Sequence, residues 1–323
     1  MVKRIGVLTS GGDCPGLNAA IRSIVRTALG RRVEVLGFRR GYKGLITGEY
    51  LFLDGPSVSG IINRGGTILL TARDKDFETA RGIRKAAQTL ERLRVDGLIV
   101  LGGNGSLKGA AALARRTRTA VIGVPKSIDN DVGGTDFSIG FDTAVNTATG
   151  VIDKIRDTAT SHERLFFVEV MGRKRGFLAL ATALAGGAEA VLLPETSTDI
   201  RSLCRLLDAG RHKGKVSSIV VVAEGDETGG AFEIARKVRR RTHYDVRVSV
   251  IGHQQRGGAP SAFDRILASQ LGSEAVNVLL RGGRNKMVGI RNGKVLLSPL
   301  ERAWKAPRPL DPKLLKLSAA LSR

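Results

Sequence analysis

The chain has 323 residues, 42% hydrophobic and 25% charged, which is the balance of a soluble globular protein with a sizeable core. A net charge of +22 calls for polyanionic company, whether nucleic acid, an anionic surface or small phosphorylated ligands, while two cysteines, Cys14 and Cys204, make neither a disulfide framework nor a metal-ligand spacing. A reducing, cytoplasmic setting fits that usage, and no membrane span is expected, because Gly186, Gly187 and Glu189 interrupt the longest apolar stretch, 177–193.

From the amino end, residues 5–8 read as a strand that begins at once and leaves no room for a signal peptide. A glycine-rich loop follows, Thr9-Ser10-Gly11-Gly12-Asp13-Cys14-Pro15-Gly16-Leu17-Asn18, and leads into a helix with apolar residues at Leu17, Ala20, Ile21, Ile24, Val25, Ala28 and Leu29. Glycines let backbone approach an anion, and the next helix offers free N–H groups. Cys14, at that helix start, is a candidate for a lowered thiolate pKa or an inert small residue. Residues 33–38 and 98–101 are further β-branched runs, and the second leads into another glycine loop, Leu101-Gly102-Gly103-Asn104-Gly105-Ser106. Neither loop has the P-loop pattern, and the first lacks the Rossmann spacing.

The run 121–124 leads directly into Pro125-Lys126-Ser127-Ile128-Asp129-Asn130-Asp131. On an extended segment Asp129 and Asp131 would face the same way, one taking a proton from a substrate hydroxyl while the other positions that hydroxyl or a metal. A polar turn whose aspartates cap a helix is the alternative. Strand-like runs at 165–170, 190–193, 219–223 and 246–251 complete an alternation that predicts an α/β protein with mainly parallel sheets covered on both faces, in two adjoining lobes with a cleft between them. The tail from Trp304, with Pro307, Pro309 and Pro312, reads as a loose extension ending in a short helix. No aromatic residues interleave with the basic clusters at 115–118 and 236–241, and no nucleic-acid module is present, so most of the excess charge is expected on solvated helix faces with a subset around a phosphate pocket.

With both glycine loops, 125–131, Ser161-His162-Glu163-Arg164, Met171-Gly172-Arg173 and Gly252-His253-Gln254-Gln255-Arg256-Gly257-Gly258, the chain resembles the 6-phosphofructokinases from about Arg4 to Gly289. The resemblance implies a single phosphofructokinase domain over 1–323. Its two Rossmann-like α/β/α lobes would be discontinuous: a donor lobe of 1–138 plus 256–303, and a sugar-phosphate lobe of 139–255 plus 304–323. It implies phosphoryl transfer from ATP, with Mg2+, to the 1-hydroxyl of fructose 6-phosphate. Asp129 would be the base, and Arg73, Arg173 and Lys126 would attend the transferring group. Gly12, Tyr42, Asp74, Gly103, Asn104, Gly105 and Ser106 would line the donor. Ser127, Ile128, Asp131, Met171, Gly172, Glu224 and Gln254 would surround the sugar with Gln255. Arg164, Arg247, His253 and Arg256 would grip its 6-phosphate. Counterparts of Arg164 and Arg247 reach in from a neighbouring subunit in the family, which implies a homo-oligomer, usually a tetramer. Neither nucleic acid nor membrane is an expected partner.

The sequence departs from the family at donor positions. Asn104 stands where an aspartate usually helps hold magnesium, which removes one negative charge. Gly105 is the small residue of ATP users, whereas pyrophosphate users carry aspartate there. Lys126 is common in pyrophosphate enzymes and in a mixed-substrate branch, group III, that includes ATP users. Glu78 falls where some members carry arginine. ATP is the expected donor; a pyrophosphate-dependent enzyme and a weakly active sugar-phosphate-binding paralogue stay open. Arg22, Arg26, Arg156, Glu189, Lys213 and Lys215 match effector-site positions of the family, but Gly55 and Gly60 replace an arginine and an aspartate.

Overall fold

Eleven strands form among the described residues, 2–322, of the computed structural model. In chain order they are β1 (Arg4–Ser10), β2 (Glu34–Phe38), β3 (Tyr50–Leu53), β4 (Gly97–Gly102), β5 (Ala120–Pro125), β6 (Leu165–Val170), β7 (Ala190–Leu192), β8 (Ser218–Ala223), β9 (Val246–Val250), β10 (Lys286–Arg291) and β11 (Lys294–Pro299). The helices are α1 (Leu17–Leu29), α2 (Tyr42–Thr47), α3 (Ala80–Arg92), α4 (Asn104–Ala114), α5 (Phe141–Ser161), α6 (Phe177–Ala185), α7 (Ile200–His212), α8 (Ala231–Arg239), α9 (Ala262–Leu280), α10 (Arg302–Lys305) and α11 (Pro312–Leu321).

The chain divides into two units, Met1–Thr143 with Arg256–Arg308 and Ala144–Gln255 with Pro309–Arg323. The first holds a seven-stranded sheet in the order β11-β10-β5-β4-β1-β2-β3, parallel except for β3 and β11 at its edges. Residues 98–101 of β4 are wholly buried, as expected of strands covered on both faces. One core cluster joins Phe38, Leu45, Leu90, Leu98 and Leu107, and α1 packs along α9. The second unit holds a four-stranded parallel sheet, β7-β8-β6-β9, with Phe167, Val220, Val222 and Ile234 in its core. No helix of the described residues is long and apolar enough to cross a membrane.

Residues 139–143 stay with the first unit because of one buried carboxylate. Asp264, on α9, is fully buried; its Oδ1 accepts from the Gly140 N–H at 2.9 Å, and its Oδ2 accepts from the Thr143 N–H at 2.8 Å and Thr143 Oγ1 at 2.6 Å. These are donors at the start of α5 that no helical carbonyl can reach. Burial pushes the Asp264 carboxyl above its ordinary range, and the three hydrogen bonds oppose that shift. Asp264→Ala leaves two buried N–H groups without acceptors, at about 1–3 kcal/mol each, so urea unfolding should show a loss of roughly 2–5 kcal/mol. A midpoint unchanged from the parent would refute this anchoring.

Two readings of the tail and edges are corrected. The C-terminal segment is not loose: Asp311 caps α11 through the Lys313 N–H, and α11 packs on α6 and β7. The strands β3, β10 and β11 lie outside the predicted β-branched runs. β3 and β11 are edges with Phe52 and Leu297 exposed, and β3 is only 4 residues long. The β10–β11 hairpin did carry a signal, Asn292-Gly293, with φ of 50° and 75° as a tight two-residue hairpin turn requires.

Candidate functional site

β1, β4 and β5 are neighbours in the first sheet, and Ser10, Gly102 and Pro125 stand at one register level at their carboxyl ends. The three loops that follow leave the sheet side by side. They do so beside the point where strand order reverses, where open α/β sheets bind ligands.

The first loop turns through Gly11, whose φ of 85° favours glycine, and delivers the chain to α1. Its carbonyl oxygens hold two cations. Lys126 Nζ donates to the Gly12 carbonyl, and an Arg256 guanidinium nitrogen donates to the Asp13 carbonyl at 3.0 Å. A Cβ on Gly12 would stand 2.6 Å from that guanidinium, so glycine here lets Arg256 lie on the loop. Lys126 is 4% exposed, and burial lowers its pKa from the usual lysine value. Cys14 is fully buried, with Sγ donating to the Ile139 carbonyl at 3.2 Å, and burial pushes the thiol up to about 12. The reactive-thiolate reading is therefore wrong, because the same loop that holds Lys126 also shuts the thiol off from water.

The second loop opens α4. Gly103 is its N-cap without a side-chain cap, which leaves the N–H groups of its first turn without a side-chain acceptor at a helix end that favours anions. Gly105 is exposed, and an ideal Cβ there meets no atom within 4 Å. Ser106 Oγ donates to Ser10 Oγ at 2.9 Å, which ties the two glycine loops together. Asn104 Nδ2 donates to Asp131 Oδ2 at 2.9 Å, whereas Asn104 Oδ1 is shielded from solvent and accepts nothing.

The third loop is a turn, not a continuation of β5. Asn130 takes a φ of 50°, so Asp129 and Asp131 are not related by strand alternation. Asn130 fastens the turn: its Oδ1 accepts from the Ser138 N–H at 2.9 Å, and its Nδ2 donates to the Asp136 carbonyl at 3.1 Å. The Asp129 N–H donates to Ser127 Oγ at 3.2 Å, and Ser127 Oγ donates to Asp131 Oδ1 at 3.1 Å. Both Asp131 oxygens thus serve the loops themselves, and Asp131 caps no helix. Asp129 is 4% exposed and Ile128 is buried behind it.

Tyr42 is buried, its hydroxyl donates to the Ser106 carbonyl at 2.7 Å, and its ring stacks on Phe77 at 3.7 Å between centroids. Burial drives that phenol above its ordinary range. Arg73 is exposed, and Asp74 Oδ1 accepts from the Asp76 N–H at 2.8 Å. Glu78 is exposed.

In the second unit, Arg164 precedes β6 and Arg247 lies in the neighbouring β9. Both reach Asp245 Oδ2, at 2.8 and 3.0 Å. The Arg164 hydrogen bond, with the two guanidinium charges, holds the Asp245 carboxyl below its usual range. After β6, Met171 is half-buried, Gly172 has a φ of 142° and Arg173 is exposed with a φ of 53°. That backbone is clamped from two sides. Gln255 Oε1 accepts from the Met171 N–H and Glu224 Oε1 from the Arg173 N–H, both at 2.8 Å. Gly225 completes the clamp, since a Cβ there would stand 1.7 Å from the Arg173 carbonyl oxygen. His253 and Gln254 are exposed, but Gln255 is fully buried, so it holds the Met171 loop from behind.

The effector-site candidates belong to both units. In the second unit Arg156 and Lys215 gather on Glu189, at 3.8 and 4.0 Å; in the first, Arg26 donates to the Gly55 carbonyl at 3.2 Å.

The phosphofructokinase family model matches residues 4–279. The chain belongs to the phosphofructokinase family. The ATP-dependent 6-phosphofructokinase 1 of Thermus thermophilus is 52% identical over 321 residues, 99% of this chain and 100% of that protein. The ATP-dependent 6-phosphofructokinase 2 of Bacteroides thetaiotaomicron is 50% identical over 322 residues, covering 99% of each chain. Among solved structures, phosphofructokinase from Saccharomyces cerevisiae superposes with a TM-score of 0.88 at 34% identity, over 98% of this chain and 45% of that one. A pyrophosphate-dependent phosphofructokinase from Nitrosospira multiformis shares the fold, with a TM-score of 0.88 at 21% identity over 100% of this chain and 92% of that one.

Within this phosphofructokinase frame, sequence reading passed over Asn130, Phe77 and Asp245. Asn130 was legible as a residue suited to a left-handed turn. Phe77 had no local signal, because its partner Tyr42 is distant in the chain, and Asp245 joins the nearby Arg247 to the distant Arg164.

Proposed function

We propose that this chain transfers the terminal phosphoryl group of ATP to the 1-hydroxyl of fructose 6-phosphate, giving fructose 1,6-bisphosphate and ADP. The observation that carries the reading is the shared register level of Ser10, Gly102 and Pro125, which sets two anion-ready glycine loops beside the buried carboxylate of Asp129. The donor follows the relatives named ATP-dependent 6-phosphofructokinase and the open space at Gly105.

In this reading the acceptor oxygen forms a bond to the γ-phosphorus as the bond to the bridging oxygen of ADP breaks, and Asp129 takes the hydroxyl proton. Such transfers need alignment and charge neutralisation more than covalent help from the protein. The N–H groups at the start of α4 and the buried charge of Lys126 meet the donor phosphates. Arg73 would lie along them, with Gly12, Tyr42, Asp74 and Ser106 around the nucleotide. Asp131 acts by fixing Ser127 and Asn104. For the acceptor, Arg173 and the clamped Met171–Gly172 backbone take the sugar with Glu224, and His253, Arg164 and Arg247 take its 6-phosphate. Arg256, held on the Asp13 carbonyl, is the further guanidinium assigned to that phosphate.

Magnesium fits this set as a hydrated ion, since it keeps several waters and takes one or two carboxylates plus substrate phosphates. Asn104 Oδ1, with no other partner, is a ready acceptor for a metal-bound water, and Asp131 or Asp129 would supply charge. The ion supplies neutralisation of phosphate charge. No cluster of three or more His, Cys, Asp or Glu among the described residues forms a metal site, which suits an ion shared with a phosphate ligand.

Arg164 and Arg247 are partly exposed and paired through one carboxylate, a pairing suited to presentation to another subunit's substrate, so a homo-oligomer in the cytoplasm accompanies the reading. Arg247→Ala should raise the KM for fructose 6-phosphate roughly tenfold or more with kcat little changed, as the loss of a charge-assisted hydrogen bond predicts. An unchanged KM would remove Arg247 from the site. The reading as a whole is tested by supplying fructose 6-phosphate and magnesium with ATP or with pyrophosphate. Faster turnover with ATP supports it, faster turnover with pyrophosphate reverses the donor, and tight sugar-phosphate binding without turnover makes the chain a regulatory paralogue.

A further inference from the structure

At the amino ends of β4 and β5, the opposite end of the sheet from the glycine loops, the first unit carries a cavity of about 910 Å3. Strands of this length separate it from those loops by about 20 Å. Five exposed arginines line it: Arg84, Arg94, Arg115, Arg116 and Arg118. Of the five, only Arg115 makes an ion pair among the described residues, with Glu301 at 3.7 Å. The lining has two carboxylates, Glu91 and Asp96, and Asp96 Oδ2 already accepts from the Lys3 and Arg4 N–H groups at 2.7 and 3.0 Å. Arg284 adds a further cation, donating to the Arg118 carbonyl.

Helix dipoles explain part of this charge. Arg94 follows the end of α3 and Arg115 is the C-cap of α4, where a cation gains about 0.3–1 kcal/mol. Arg84 lies more than two turns before the end of α3, and Arg118 lies beyond α4, outside that influence. Arg94 also has a φ of 51°, a left-handed backbone that glycine would adopt without the cost of about 1–2 kcal/mol. Like charge is thus concentrated here beyond what the helix dipoles favour, and at Arg94 also against backbone preference.

We infer that this groove binds a linear polyphosphate, an unbranched chain of phosphoryl groups that carries no base. Planar guanidinium forks match phosphate oxygens bidentately, and the cavity is large enough for several phosphoryl groups. No aromatic side chain lines it, so a nucleobase would have only guanidinium planes to stack on, and each one so used is lost to phosphate.

The test is calorimetric titration of the full chain with inorganic polyphosphate at physiological ionic strength. The kinase site is kept saturated with fructose 6-phosphate and a non-hydrolysable ATP analogue. One saturable site per chain is expected. A variant combining Arg94→Gly, Arg116→Ser and Arg118→Ser should weaken it at least about tenfold, the loss of one or more charge-assisted contacts. Its basal phosphoryl transfer should equal the parent's. Arg94→Gly relaxes the backbone, so thermal stability at or above that of the parent separates lost binding from lost folding. Absence of saturable binding, equal binding by the variant, or equally tight binding of orthophosphate or of duplex DNA at the same salt would overturn the inference.

Discussion

Asp129→Ala should lower kcat by a factor of ~100 to ~10,000 while the KM for fructose 6-phosphate moves only a few-fold, the pattern of a lost general base. The turn keeps several of its fastenings in the variant, and a thermal unfolding midpoint near the parent's separates lost chemistry from lost folding. Asn130 holds it through Ser138 and Asp136, and Asp129 contributes its backbone N–H to Ser127 Oγ, a bond that alanine keeps. Steady-state rates at saturating ATP measure the effect, and a variant with parental kcat would assign the base elsewhere. Asp131→Ala should behave differently. Its carboxylate oxygens accept from Ser127 and Asn104, so its loss loosens the alignment of two loops.

Both sheets were legible in the sequence where strands are buried on both faces. Such strands are short continuous β-branched runs, and β4, with 98–101 fully buried, shows why the pattern is so clear. The first sheet's edges β3 and β11 were missed, since each exposes much of its length, whereas β7 and β9, the edges of the second sheet, lie within the runs read as strands. The loops were legible as loops, since glycine and Asp-Asn-Asp announce turns locally. Their mutual wiring was not. The bonds from Lys126 to Gly12, from Arg256 to Asp13 and from Asn104 to Asp131 span 27 to 243 positions and depend on the sheet bringing three strand ends level. The same holds for Cys14. Its position at a helix start leaves an activated thiol and an inert one both open, and burial by the surrounding fold decides for the inert one.

Gly105→Asp should cut kcat/KM for ATP by roughly 100- to 1,000-fold without destabilising the protein. Structure and electrostatics separate cleanly here. The position is exposed in the first turn of α4, a Cβ there meets nothing within 4 Å, and its backbone is not left-handed, so the fold accepts a side chain. An acidic residue in a helix's first turn is itself favourable by about 0.3–1 kcal/mol, so thermal unfolding should shift little or upward. The damage falls on the ligand. The same N–H groups that would hold donor phosphates would now face a carboxylate, and a negative charge about 4 Å from a phosphate oxygen costs roughly 4 kcal/mol at an effective dielectric near 20. Pyrophosphate is shorter at the end where ATP continues into its α-phosphate and nucleoside, so the ratio of pyrophosphate to ATP use should rise. Parallel assays with both donors on parent and variant measure that ratio. If ATP use were undiminished in a stably folded Gly105→Asp protein, the open space at the start of α4 would not be the donor's, and the proposed alignment of ATP against Asp129 would fail with it.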